Sequence, residues 1–373
     1  MQSSGLFVFL GDFRIMKTEK RNVVLFVLLL FLLMTFVSCE EEKNEGKRED
    51  ALMLQKEKRS DGLKEIYLAG GCFWGMEGYF KKVRGVEETN VGYANGKVET
   101  TTYQDLHETD HAETVQIVYD ENVVSLQELM VRFFSIIDAT SINKQGNDSG
   151  RQYRTGIYYT DIDQRPKIEA FFAFMQKKIT GKIAVEVLPL RHFVLAEEYH
   201  QDYLDKNPRG YCHINLARAN DPLPLVFKAK VIPKDKLETE LTDLQYRVTQ
   251  HKDTEKPFSS EYDKFDKKGI YVDITTGKPL FASQDKYDAG CGWPSFTKAI
   301  TTDALDYTED TSFGMKRVEV TTKKDGTHLG HVFNDGLQEK GGLRYCINGA
   351  SLRFIPYEKM EEEGYGDYII FIE

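Results

Sequence analysis

Six consecutive residues, Gly70-Gly71-Cys72-Phe73-Trp74-Gly75, separate an apolar run, Ile66-Tyr67-Leu68-Ala69, from a stretch of helical period marked by Met76, Phe80 and Val83. An apolar run, a glycine pair and then a helical period describe a strand that turns sharply into a helix. Cys72 is therefore expected at the helix start, where backbone N–H groups favour a thiolate over a thiol. The glycines let the backbone bend and let another molecule approach. Phe73 and Trp74 can form an apolar surface beside the sulfur. The competing reading is a small buried cysteine in a tight turn. Two glycines before it and two aromatics after it favour chemistry.

The chain has 373 residues, which predicts two domains, and its 41% hydrophobic and 12% aromatic content is enough to fill two cores. A formal charge of −10 argues against a nucleic-acid partner. The five cysteines (Cys39, Cys72, Cys212, Cys291 and Cys346) are too few for a disulfide scaffold and include no CxxC pair. The N-terminus accounts for the odd one. Lys17, Lys20 and Arg21 precede an apolar run from Val23 to Val37, followed by Ser38-Cys39. This order resembles a bacterial lipoprotein signal, in which the cysteine after the small residue is freed and lipidated. Phe36 stands where such signals usually carry leucine, and Met16 is an alternative start. The other reading is an uncleaved anchor, for which the run is short against the ~20 residues of a span. Both readings export the protein, with a lipid anchor at Cys39 in the first. Residues 1–39 are thus assigned to extension and signal, and the charged residues 40–61 to a flexible tether.

Residues 62–218 read as an α/β domain. Strands are expected at Glu65–Ala69, Val86–Tyr93, Thr114–Tyr119, Arg154–Tyr159 and Ala184–Leu188, with helices at Phe73–Val83, after Ser125 and from Pro166 to Ile179. Ser125 and Glu128 have capping-box spacing before Leu129, Met130, Phe133 and Ile137. Strands interleaved with two long helices predict a split βαβ, ferredoxin-like core in two layers. The matching residues are Gly71-Cys72-Phe73-Trp74-Gly75, Thr102-Tyr103, His111-Ala112-Glu113, Gly146-Asn147-Asp148 with Gln152-Tyr153-Arg154, and Asn207-Pro208 with Gly210-Tyr211-Cys212. With these in order, the domain resembles peptide methionine sulfoxide reductase A. The resemblance implies reduction of the S-epimer, with Cys72 as nucleophile, Glu113 as acid and Cys212 as resolving cysteine. It implies that Tyr103, Asp148 and Tyr153 bind and polarise the sulfoxide oxygen, and that Phe73 and Trp74 hold the methyl group. An alternative reading makes His107, His111 and Glu113 a metal site, and another makes Tyr103 and Tyr153 ordinary core tyrosines.

Elementary chemistry ranks these groups. A thiol of ordinary pKa, ~8.5, is about 3% ionised at neutral pH. Lowering that pKa to ~6 raises the fraction roughly 30-fold, but a Brønsted slope of ~0.45 takes back roughly 10-fold in nucleophilicity. A positioned acid is worth ~10²–10⁴. Glu113 and the phenols therefore matter more than tuning the cysteine, and Glu113 must be buried to stay protonated.

Residues 219–256 contain Pro222, Pro224 and Pro233 and then a charged stretch of helical character, Lys234–Glu240, and read as a linker. From 257 to 373 the pattern becomes mainly β, so the whole chain is of α+β class. Hairpins are expected around Thr275–Lys278 and Lys324–Gly326, with further strands at Leu343–Ile347, Ser351–Ile355 and Tyr368–Ile372. Cys291-Gly292-Trp293-Pro294-Ser295-Phe296, His328-Leu329-Gly330-His331 and Arg344-Tyr345-Cys346-Ile347-Asn348 make this half similar to methionine sulfoxide reductase B. The resemblance implies reduction of the R-epimer by Cys346, with Cys291 resolving and His331, backed by His328, handling the departing oxygen. It also implies that Trp293 holds the methyl group and that Asn348 and Glu319 line the pocket. Many members carry two CxxC pairs for zinc, but Asp273–Thr276 and Thr322–Asp325 stand there, so no metal is expected. With two residues between them on a strand, His328 and His331 are expected on opposite faces, which disfavours a shared metal.

The expectation is a fused, lipid-anchored reductase acting on free or protein-bound methionine sulfoxide without a cofactor. Each site passes through a sulfenic acid and an intramolecular disulfide recycled by a thioredoxin-like donor. The alternative is a surface lipoprotein for thiol–disulfide exchange or peptide binding.

Overall fold

The computed structural model describes residues 63–372, so the expected signal, tether and anchoring Cys39 lie outside the described residues. Among the described residues no helix is long and apolar enough to cross a membrane.

The first domain is built on strands β1 (Leu63–Gly70), β2 (Val86–Ala94), β3 (Ala112–Asp120), β4 (Thr155–Tyr159), β5 (Glu186–Pro189) and β6 (Phe193–Leu195). Their order in the sheet is β5-β4-β1-β3-β2-β6. The central four, β4-β1-β3-β2, pair antiparallel throughout and form the expected split βαβ core. Helices α1 (Phe73–Phe80), α2 (Leu126–Ile136) and α3 (Gln164–Lys178) complete the α layer. Val91, Val115, Ile117 and Ile157 of the sheet and Met76, Phe80, Leu129 and Phe133 of the helices are fully buried. The edge strand β5, parallel to β4, starts two residues later than expected, and β6 was not foreseen.

Half of the expected capping box forms at α2. Ser125 Oγ accepts the Glu128 N–H at 3.1 Å. The Glu128 carboxylate does not reach back. It takes Arg132 at 2.8 Å, one turn along, and Thr302 of the second domain through both N–H (2.9 Å) and hydroxyl (2.5 Å). Arg132 also donates to Ala219 O at 2.9 Å, and Lys298 donates to Glu121 O at 2.8 Å. A sequence signal for a local cap is thus spent on an interdomain joint.

The stretch 219–256 carries backbone hydrogen bonds of its own to the second domain. Ile232 N–H donates to Thr275 O, and Lys228 N–H to Gly364 O. Helix α4 (Asp243–His251) follows, and its capping box is complete between Thr242 and Gln245. These bonds and the helix are compatible with a linker that packs along the second domain.

That domain contains two sheets. Strands β7 (Gly269–Asp273), β8 (Pro279–Ala282), β9 (Lys286–Tyr287), β10 (Ser295–Phe296), β11 (Leu305–Asp310), β12 (Arg317–Thr322), β13 (His328–Phe333), β14 (Arg344–Ile347) and β15 (Leu352–Pro356) form them. The small sheet runs β8-β7-β15 and the large one β9-β10-β14-β13-β12-β11. The expected last strand, Tyr368–Ile372, is instead part of a 3₁₀ helix, Gly366–Phe371. Tyr368, Ile370, Phe371 and Ile372 are all buried, so no face alternates as a half-buried strand requires.

Where the zinc-binding pairs of the resemblance would fall, Asp273, Thr275, Thr276, Thr322 and Thr327 close into a hydrogen-bonded knot. Fully buried Asp273 accepts from Thr275 N–H (2.8 Å) and hydroxyl (2.9 Å), from Thr276 hydroxyl (2.8 Å) and from Thr327 hydroxyl (3.1 Å). Thr322 Oγ1 accepts the Thr327 N–H at 3.0 Å. These hard oxygen groups are already spent on one another and do not fit a tetrahedral thiolate zinc site.

Candidate active sites

Gly71 makes the first site possible. Its φ of +84° turns the chain from β1 into α1, and a side chain there would stand 2.5 Å from Gln145 Cβ. Gln145 is itself fixed by two 2.8 Å bonds to the Asp138 backbone. Cys72 becomes the residue preceding α1, and its thiol is buried. Glu113, on β3, faces the same turn and accepts the Phe73 N–H at 3.1 Å. Burial pushes Glu113 up to about 8, with Asp148 adding to the rise and the Phe73 N–H opposing it. The carboxyl is therefore mostly protonated at neutral pH, as the chemistry requires.

Cys72 departs from expectation. The N–H groups of Trp74 and Gly75 do favour its thiolate, but burial first and Glu113 second push the thiol up to about 12. A helix start cannot outweigh the loss of water around a buried sulfur. When Glu113 holds its proton, the second of those two effects is absent.

Tyr103 and Tyr153 are hydrogen-bonded to each other, and burial and Glu113 raise both phenols. Asp148 lies on the hairpin joining Lys144–Gln145 to Asp148–Ser149, where its carboxylate accepts the Tyr211 hydroxyl at 3.1 Å. Phe73 is buried against Tyr93, with ring centroids 5.8 Å apart. Trp74 stacks on Tyr203 at 3.7 Å and donates its indole N–H to His200 Nδ1 at 3.1 Å. Cys212 Sγ stands 3.1 Å from where a Cβ on Gly75 would be, so it rests on the helix that Cys72 begins. Its thiol donates to Ile214 O at 3.0 Å.

Sequence reasoning missed His200. This buried ring contacts Phe73 (5.2 Å), Trp74 (5.7 Å), Tyr103 (4.8 Å) and Tyr199 (4.2 Å). It also missed Glu197, which ties the Tyr93 hydroxyl at 2.7 Å to the Tyr103 N–H at 3.1 Å. The dense aromatic run Tyr199-His200…Tyr203 was the available signal. The alternative metal site is not assembled. His107 is exposed, His111 packs on His192 at 5.0 Å, and among the described residues no three His, Cys, Asp or Glu groups could hold an ion.

The second site centres on Cys346 of β14. Its register partners are Ser295 on one side and His331 on the other. Cys291 approaches from the turn before β10, with its sulfur 3.8 Å from that of Cys346. Burial pushes Cys346 up to about 12, the Cys291 charge reinforces this, and Arg344 opposes it. For Cys291 burial acts upward too, but hydrogen bonds from Ser295, the Trp293 backbone and Cys346, with the Arg344 charge, bring it below the ordinary value. The Trp293 indole is oriented by Glu255 O at 3.1 Å. Asn348 accepts the Glu255 N–H at 3.0 Å and donates one amide N–H to Leu329 O at 3.1 Å.

His328 and His331 do not face opposite ways. The register with β12 skips Leu329: Val320 pairs with Gly330 and Thr321 with His328. This bulge brings the two imidazoles to 5.8 Å. Gly330 permits it, with φ +152° and only 2.2 Å from a would-be Cβ to Cys346 O. His328 Nδ1 lies 2.7 Å from Glu319, which also receives Lys252 at 2.8 Å. His331 Nε2 lies 2.8 Å from Asp310, which also receives Arg317 at 2.6 Å. Asp310 and Arg317 were not foreseen.

A buried thiol facing a neutral carboxyl, and a dithiol beside two histidine–carboxylate pairs, define a thiol oxidoreductase with two separate sites. The family model for peptide methionine sulfoxide reductase matches residues 64–230, and that for the SelR domain matches residues 241–356. Mxr1 from Saccharomyces cerevisiae in its reduced form is 37% identical, covering 43% of this chain and 94% of its own, with a TM-score of 0.40. Methionine sulfoxide reductase A of Corynebacterium diphtheriae is 37% identical over 41% of this chain and 79% of its own, with a TM-score of 0.37. The chain belongs to the peptide methionine sulfoxide reductase family and joins to that domain a SelR domain. It reduces methionine sulfoxide, and its two domains supply both methionine sulfoxide reductase activities.

Proposed function

We propose that Cys72 and Cys346 are the two nucleophiles, each serving one epimer, S in the first domain and R in the second. In each site the cysteine sulfur attacks the sulfoxide sulfur, and the oxygen passes to the cysteine as a sulfenic acid while the thioether leaves. The cysteine sulfur loses two electrons and the methionine sulfur gains them. The thiol proton ends on the transferred oxygen. Cys212 and Cys291 then attack the sulfenic sulfur, releasing water and forming a disulfide. The observation that carries this reading is Glu113 buried beside Cys72, where the loss of water pushes its carboxyl up to about 8. An acid there meets the charge that develops on oxygen.

The disulfides need a dithiol reductant, and a thioredoxin-like protein fits. A solved complex of Mxr1 with Trx2, 30% identical over 39% of this chain and 88% of its own (TM-score 0.29), supports that choice. The basic and apolar residues before Cys39 support export and lipidation at that cysteine. Resolved S- and R-sulfoxides assayed with Cys72→Ser and Cys346→Ser test the assignment. Each change should abolish one epimer only, and loss of both from one change would overturn it. Mass spectrometry of the mature N-terminus tests the lipid.

A further inference from the structure

We propose that Asp310, oriented by Arg317, is the positioning residue that fixes the tautomer of His331 so that its Nδ1 can accept a proton at the Cys346 site. The inference rests on the reading of Cys346 as the nucleophile of the second domain.

The argument starts from the proton inventory. Cys346 begins protonated, and its proton must end on the sulfoxide oxygen when thiol and sulfoxide become sulfenic acid and thioether. A second proton, from Cys291, must reach the sulfenic hydroxyl when water leaves. Both transfers need a group that accepts and returns a proton between the sulfurs and the oxygen. His331 is the register partner of Cys346 on the adjacent antiparallel strand, so the two side chains share one face.

A neutral imidazole has one nitrogen that donates and one that accepts, and a partner must choose between them. Asp310 makes that choice. Its Oδ2 lies 2.8 Å from His331 Nε2 and accepts from Arg317 at 2.6 Å. Its Oδ1 accepts the Ser312 N–H at 2.9 Å. Hydrogen bonds from Ser312, His331 and Arg317 hold the carboxyl well below the usual range against its partial burial. An ionised carboxylate only accepts, so Nε2 carries the hydrogen and Nδ1 is left with its lone pair. The same carboxylate stabilises the imidazolium once Nδ1 takes a proton. Arg317 Nη2 is shared with Ser312 Oγ at 3.3 Å, which ties the end of β11 to the start of β12 and fixes the Asp310 rotamer.

The charged and titratable groups around His331 come from every neighbouring strand. They are Asp310 on β11, Arg317 and Glu319 on β12, His328 on β13, Cys346 and Arg344 on β14, and Cys291 on the preceding turn. Glu319 is occupied by His328 and Lys252, which leaves Asp310 as the carboxylate bonded to His331.

The test compares Asp310→Asn, Asp310→Glu and Arg317→Met in the full chain, with methionine R-sulfoxide in single turnover and nitrogen NMR of the histidine tautomers. S-sulfoxide reduction at the other site is the internal control for folding. Asparagine can offer an N–H to Nε2, so His331 should switch to the Nδ1-protonated tautomer. R-epimer turnover should fall by about 100-fold or more, the scale of a lost acid–base step. The acid limb of the residual pH profile should move to lower pH, because the charge supporting the imidazolium is gone. Glutamate should restore the tautomer and part of the rate, and Arg317→Met should give a smaller fall in the same direction. R-epimer turnover within about threefold of wild type would overturn the proposal, as would a fall with unchanged tautomer and pH profile. R-epimer reduction surviving in Cys346→Ser would instead overturn the assignment of the nucleophile.

Discussion

The sulfur of Cys291 lies 3.8 Å from that of Cys346, and Arg344 acts on both. A disulfide bond is ~2.05 Å long, so closure asks for less than about 2 Å of sulfur movement and no rearrangement of the sheet. Burial raises Cys346, while Ser295, Trp293 and Arg344 bring Cys291 below its ordinary value. The resolving sulfur is thus within short reach of Cys346 before the sulfenic acid forms. Cys291→Ser is expected to release one methionine per chain from the R-epimer in the absence of reductant and then stop, with a sulfenic acid left on Cys346. Quenched-flow product counting and a dimedone mass tag measure both, and a variant with no trappable sulfenic acid on Cys346 after that first methionine would refute the assignment of Cys291.

Glu113 sets the pH dependence of the other site. Burial raises it to about 8, so the acid form dominates below that pH and is lost as pH rises through it. S-epimer single-turnover rates should therefore decline on the alkaline side of about 8. Glu113→Gln keeps a hydrogen-bond donor but no transferable proton, and should cost ~10²–10⁴ in rate. The same raised pKa stabilises the folded protein fully below the unfolded carboxyl range and progressively less as pH rises to about 8. Melting temperatures of Glu113→Gln should accordingly gain on wild type at pH 9 relative to pH 5. A pH-independent rate, or a variant as fast as wild type, would remove Glu113 as the acid.

The turn at Cys72 and the split βαβ core were readable from local pattern, whereas Glu113 and the other cysteines were singled out by the resemblance to the reductase families. The turn at Gly71 needed only a strand, glycines and a helical period. The need for a protonated acid predicted the burial of Glu113 before any packing was visible. What escaped was set by distant neighbours. The helix start was read as favouring a Cys72 thiolate, whereas burial pushes the thiol the other way. His328 and His331 were put on opposite faces by strand alternation, and a bulge around Leu329, allowed by Gly330, cancels that alternation. Glu128 looked like a local cap, yet its partner Thr302 is 174 residues away. Asp310 carries no motif of its own, and for His200 the aromatic run around it was the available signal; the contacts show what both hold.

The Glu128–Arg132 pair is the mechanical joint between domains. Both side chains are at most 5% exposed, and Thr302 closes the cluster from the second domain. Removing one partner of a buried ion pair costs about 3–5 kcal/mol because the other charge is left uncompensated. Glu128→Ala should lower stability on that scale and split a single thermal transition into two, as the domains lose their shared anchor. Differential scanning calorimetry reads both effects. Exposed Arg165→Ala, which breaks a surface pair with Glu169, should change stability by less than about 1 kcal/mol.

Asp273 braces the second domain where the resemblance would place zinc-binding cysteine pairs. One buried carboxylate receives four hydrogen bonds and so joins the β7–β8 turn to Thr327 beyond the β12 turn. Desolvation raises its pKa and the Thr275, Thr276 and Thr327 bonds oppose that rise. Folding is therefore favoured by the neutral form more than unfolding is, and this contribution fades as pH rises through the folded value. Asp273→Ala takes the acceptor from the Thr275 N–H and from the Thr275, Thr276 and Thr327 hydroxyls, at about 1–3 kcal/mol for each donor left buried without a partner. The second domain should then unfold early, and R-epimer reduction should be lost at temperatures where S-epimer reduction persists. Asp273→Asn keeps an acceptor oxygen and should recover part of that loss, more at high pH than at low. Chelators should leave both activities of the wild-type protein unchanged. Inactivation by a chelator with recovery on adding zinc would show that thiolate-free residues hold a metal after all, and would displace the hydrogen-bonded knot as the brace of this domain.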